Sequence, residues 1–174
     1  KRNILMRGKG CKMKHIGPVI NAMIAYYAGD VRRINHFLKV YGFAKAIGEM
    51  EGLDESTQEI IEIAALTHDI GIKNSEKKYN SSAGNYQQIE GPPEAKKLLE
   101  GLGIESGVID RVCWLIAHHH TYTDIQGIDY QILVEADFLV NFYEDDMSID
   151  SVHSAGGKMF KTLSGKAILN AIYS

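Results

Sequence analysis

Four residues stand where an apolar helix face should be. His36 in "RINHFLKV", His68 and Asp69 in "LTHDIG", and Asp137 in "LVEADFLV" each interrupt or close a hydrophobic stripe. A single histidine in such a place is ordinarily a hydrogen-bonded core residue. An aspartate is costlier there, because an unpaired buried charge is heavily penalised. Asp137 therefore needs a partner, and a metal ion is the simplest one. Two imidazoles and two carboxylates on inward faces of three helices make a mixed nitrogen and oxygen site. Such ligands suit Fe, Mn, Zn or Mg, and hydrolysis is their usual use.

The run "CWLIAHHH" offers three more imidazoles. Successive helical side chains are about 100° apart, so three neighbours cannot share a face and at most two can share a site. His119 continues Val108, Val112, Leu115 and Ile116, and His120 continues Ile109, Val112, Cys113 and Ile116. His118 stacks over Arg111 and Trp114, a face that carries a charge, and is expected at the rim. A last turn in 3₁₀ form would rotate this assignment. The ranking is His119 first, then His120 and His118 together. The competing expectation is a solvated helix end, where imidazolium favours the C-terminal dipole.

Helices must position these groups. Residues 16–30 place Pro18 near a helix start and Gly29 near its end. In the next helix His36, Val40, Phe43 and Ile47 recur along one face. "DESTQEIIEIAALTHDIG" opens with Ser56 and Glu59 spaced as a capping box, and its stripe of Ile61, Ala64, Ala65 and His68 stops at Gly71. Residues 72–91 are polar and turn-rich, and are expected to form a long irregular lid. A helix then starts at Pro92, another ends in the histidines, and a third, N-capped by Asp129, carries Asp137. The tail predicts a loop and one short helix. No alternating strand pattern occurs, so the expected fold is all-α, a compact single-domain helical bundle.

The composition agrees with one globular domain: 174 residues, 45% hydrophobic and 24% charged. Six of the 19 Lys and Arg fall within the first 14 residues, which hold no acid; the rest carries 22 acids against 13 bases. An acidic body argues against a nucleic-acid polymer, whose binding rests on phosphate neutralisation. Residues 1–12 read as a basic arm or as residues ahead of a native start at Met13, with the domain over 13–174. No apolar run approaches the roughly 20 residues of a membrane span. Two cysteines suggest no disulfide framework, so a cytoplasmic setting is expected.

An isolated His, an adjacent His-Asp closing a helix, and a later Asp after "EA" resemble the HD-domain metal-dependent phosphohydrolase superfamily. The likeness spans roughly residues 30–141. It implies a helical domain in which His36, His68, Asp69 and Asp137 bind a divalent metal (Fe, Mn, Zn, Mg or Ni), with Asp69 and His68 at the catalytic centre. Many members hold a second ion through further histidines. One commonly precedes a Gly at the start of the following helix, where this chain has Glu90 in "QQIEGPPEA". Others end the next helix, where His118, His119 and His120 lie. Lys73 stands near the place of a phosphate-facing lysine, one residue late. The resemblance implies hydrolysis of a phosphate ester or anhydride in a small nucleotide or similar phosphorylated metabolite. The alternatives are a binuclear-iron oxygenase of the same architecture and a nucleotide-sensing module without turnover. Substrate, metal count and oligomeric state stay open.

Overall fold

The computed structural model describes residues 15–174. The proposed basic arm and Met13 lie outside the described residues. The described chain forms α1 (Ile16–Tyr26), α2 (Val31–Glu51), α3 (Glu55–Thr67), α4 (Ile72–Tyr79), α5 (Gly84–Gly101), α6 (Ser106–His118), α7 (Ile128–Glu144), α8 (Ile149–Met159) and α9 (Leu163–Ile172). There is no strand among the described residues, so the all-α expectation holds.

The apolar stripes account for the packing. Helix α3 is the hub and touches α1, α2, α6 and α7. Its buried Ile61, Ala64 and Ala65 meet Val40, Ala44 and Ile47 of α2, Leu115 and Ile116 of α6, and Leu133, Ala136 and Val140 of α7 in one core. Burial of each large aliphatic side chain contributes about 1.5–3 kcal/mol. Small residues on α3 let its neighbours approach closely. That convergence brings distant side chains to one end of the hub.

Several local expectations are corrected. Asp54, not Ser56, caps α3: its carboxylate accepts from the backbone N–H groups of Ser56 and Thr57 at 3.0 and 3.1 Å. Gly127, not Asp129, precedes α7. Asp129 instead takes a two-pronged pair from Arg111 at 2.7 and 2.8 Å. The tail forms two helices, α8 and α9, each capped by a hydroxyl (Ser148 and Thr162) that accepts from a first-turn N–H.

The irregular lid is the largest correction. Residues 72–91 contain α4 and the first turns of α5, and only 80–83 link them. Helix α5 continues through Pro92 and Pro93. The buried faces here are made of Ile72 and Ser75 on α4 and Gln87, Glu90 and Gly91 on α5, too polar for hydrophobic periodicity to register. Backbone contact replaces apolar packing: a Cβ at Gly71 would lie 2.6 Å from the Gln87 carbonyl and 2.7 Å from the Gly91 nitrogen.

Candidate metal centre

His68 is the C-cap of α3, and Asp69 follows it in the turn toward α4. Helix α1 holds that turn from outside. The Tyr27 hydroxyl donates to the Asp69 carbonyl at 2.7 Å, and the Tyr26 hydroxyl to the Ile70 carbonyl at 3.3 Å. His36 enters from α2, Asp137 from α7, and His119 from the C-cap of α6. His36, His68, His119 and Asp137 are all buried.

Their polar atoms converge. His36 Nε2 and His68 Nε2 lie 3.2 Å apart. Asp137 Oδ1 is 3.3 Å from the first and 3.5 Å from the second. Asp69 divides its carboxylate: Oδ2 lies 3.5 Å from His36 Nε2 and 3.6 Å from His68 Nε2, while Oδ1 lies 3.6 Å from His119 Nε2. Two groups of three thus offer ligand atoms within 4.8 Å of one another: His36, His68 and Asp69, and then Asp69, His119 and His120. Asp69 belongs to both.

The rings are turned so that these nitrogens carry lone pairs. His68 Nδ1 lies 2.8 Å from the Ala65 carbonyl and His119 Nδ1 lies 2.7 Å from the Ile116 carbonyl. A carbonyl can only accept, so each Nδ1 carries the hydrogen and the neutral ring presents an unprotonated Nε2 inward. His36 Nδ1 faces a carboxylate oxygen of Glu144 at 3.1 Å. Inward lone pairs on His36 and His68 repel at 3.2 Å unless something positive lies between them. Protons can do this. Burial alone would lower the His36 and His68 pKa values, but the nearby Asp137 and Asp69 carboxylates reverse the effect and push His68 up to about 9. Burial would raise the two aspartates, yet the adjacent imidazoles hold both below the usual carboxylate range. His120 behaves differently: burial and the neighbouring His119 pull it down to about 4, so its ring is neutral.

The donor set also passes a test of fit to a cation. His119 Nε2, His120 Nε2 and Asp137 Oδ1 are buried and have no hydrogen-bond partner. Buried polar atoms normally have one. Three such atoms around one carboxylate, all electron-pair donors, match a divalent cation bound by nitrogen and oxygen.

Three other candidates lie elsewhere. His118 stacks on Trp114 with ring centroids 4.1 Å apart, and its Nδ1 meets the Trp114 carbonyl at 2.7 Å. It faces the rim, as its phase on α6 predicts. The Glu90 carboxylate takes Lys78 at 2.5 Å and the Tyr79 hydroxyl at 3.0 Å, and it enters neither group. These contacts tie α4 to α5. Lys73 is exposed; its ammonium donates to the Tyr26 carbonyl at 3.0 Å and sits over the Tyr26 ring, so it braces α1. A phosphate-facing role for Lys73 has no support in this geometry. His120 stays with the cluster. Its ring packs against the start of α5, where a Cβ at Gly84 would lie 2.7 Å from it. A recess of about 510 Å³ between α7 and α8, lined by Phe138, Ala155 and Met159 among others, shares no residue with the cluster.

The family model described as "HD domain" matches residues 33–152. The chain belongs to the HD domain family. The match takes in His36, the His68-Asp69 pair, the histidine run and Asp137. This HD-domain chain is also similar in fold to the crystal structure of a predicted HD superfamily hydrolase from an uncultured Thermotogales bacterium. The TM-score is 0.66 at 20% identity, over 91% of this chain and 85% of that one. No curated protein matches it in sequence. Among the described residues of this HD-domain protein, no helix is long and apolar enough to cross a membrane.

Proposed function

We propose that the protein is a metal-dependent phosphohydrolase that cleaves a phosphate ester or anhydride in a small phosphorylated molecule, a nucleotide being the leading class. The observation that carries this is the set of buried, unpartnered electron-pair donors, His119 Nε2, His120 Nε2 and Asp137 Oδ1, gathered around Asp69. His36, His68, Asp69 and Asp137 would hold one divalent cation, and Asp69, His119 and His120 a second. When bound, such ions polarise a phosphoryl oxygen and make water more acidic. The chain's own groups do the rest. Asp69 is the ligand that reaches both groups, and its side chain keeps 21% of its exposure, so a substrate can approach there. His68 and His119, almost wholly buried, keep bulk water from the far side. The acidic body supports a small substrate over a nucleic-acid polymer.

The test is metal analysis of tag-free protein, followed by phosphate detection over a panel of nucleotides. Metal-dependent release of phosphate or nucleotide is expected, with both metal content and release reduced in His68→Ala. The proposal fails if metal-replete protein releases nothing from any compound while His68→Ala keeps its metal.

A further inference from the structure

Three histidines of the cluster, His36, His68 and His119, are braced in two ways, and their position in a helix decides which. His68 and His119 are C-caps. The last four carbonyls of a helix have no intrahelical partner. Ala65 and Ile116 are among those four, so each C-cap ring rests its Nδ1–H on a carbonyl of its own helix. His36 has no such option. It lies in the body of α2, where the carbonyls three and four residues back already accept helical N–H groups. Its Nδ1–H needs an acceptor from outside the helix.

Glu144, the last residue of α7, supplies one. Its Oε2 lies 3.1 Å from His36 Nδ1, and its Oε1 takes the Lys39 ammonium at 2.5 Å. Lys39 is one turn beyond His36 on α2, and Glu144 is two turns beyond Asp137 on α7. The same two faces that bring His36 to Asp137 therefore bring Glu144 behind His36. The Glu144 side chain is only 13% exposed, so the contact is shielded from solvent.

We propose that Glu144, itself held by Lys39, is the positioning residue that keeps His36 in the Nδ1–H tautomer with Nε2 aimed at the cluster. It acts through His36 and touches no substrate. This rests on the cluster's being a cation site, and it deepens that reading by naming a residue outside the ligand set on which loading depends. Carboxylates behind metal-binding histidines fix the ring and strengthen it as a ligand, and losing one weakens metal affinity by about 10–100-fold.

The experiment uses the full chain, Co²⁺ as the probe, and two readouts. Co²⁺ titration followed by its visible absorption gives affinity and ligand field. Nitrogen-15 NMR of the metal-free protein, at a pH where the His36 ring is neutral, gives its tautomer. Glu144→Ala is expected to weaken Co²⁺ binding by about 10–100-fold and to mix the His36 tautomers. Glu144→Gln, whose amide oxygen still accepts, should keep the tautomer and lose less affinity. Lys39→Met should lose least. Wild-type affinity and tautomer in Glu144→Ala overturn the inference. A fall in affinity equal in both Glu144 variants, with the tautomer kept, also overturns it. If the wild type binds no Co²⁺, both this inference and the proposed function fall. If Co²⁺ affinity follows Glu144 but no phosphate compound is cleaved, only the proposed function falls.

Discussion

Two of the buried carboxylates of α7, Glu135 and Asp137, stand two residues apart, and they live differently. Glu135 is fully buried and fully satisfied. It accepts from the backbone N–H groups of Lys161 and Thr162 at 2.6 and 2.9 Å, from the Thr162 hydroxyl, and from Gln131 at 2.8 Å. Asp137 is nearly as buried, yet no backbone or hydroxyl donor reaches its Oδ1, which faces two imidazole nitrogens instead. A buried acid with both oxygens taken by fixed donors is a fastening; here it ties the link between α8 and α9 to α7. A buried acid whose neighbours are imidazole nitrogens can exchange their protons for a cation. Burial alone does not distinguish them; the kind of neighbour does.

That contrast can be broken in order of expected effect. Asp69→Ala removes the one residue common to both groups, so metal content should fall to background by elemental analysis, and hydrolysis with it. Retention of a full complement of metal would mean that Asp69 is not shared. Next, saturating metal should stabilise the wild type. At a free concentration one hundred times Kd the gain is about 2.7 kcal/mol, or a melting temperature higher by roughly 5–11 °C. Asp137→Asn should abolish most of that shift while moving the metal-free melting temperature by no more than about 4 °C. Glu135→Ala should do the reverse. Stranding two backbone donors and a hydroxyl costs about 1–3 kcal/mol for each group, visible in denaturant unfolding, while metal stoichiometry per folded chain is kept. Should Asp137→Asn destabilise the metal-free protein as much as Glu135→Ala does, the two acids would share one role. The smallest effect belongs to His118→Ala, which should leave metal content unchanged and alter only Trp114 fluorescence.

Much of this is legible in the sequence. The helices bearing His36, His68 and Asp137 announce themselves through apolar stripes, and the structure brings these residues and Asp69 together. Helical phase also turned His119 inward and His118 outward. Glu135 and Asp137 sit in the same apolar stretch, and nothing local tells a fastened acid from an unfastened one. Glu144 could have been found, since it repeats the Asp137 face two turns later. It was missed because it sits where the helix looks polar and finished. Helix α4 and the first turns of α5 are hidden for another reason: their contact is glycine backbone against backbone, which leaves no hydrophobic signature. Glu90 and Lys73 carry suitable chemistry, but partners on other helices claim them.

One carboxylate serving two groups through different oxygens has a thermodynamic corollary. With Asp69 Oδ2 turned to His36 and His68, and Oδ1 to His119, fixing either oxygen fixes the other. Two cations sharing this side chain would not obey independent isotherms. The first would settle the rotamer for the second and also repel it, and the net coupling, whatever its sign, must be the same from either direction.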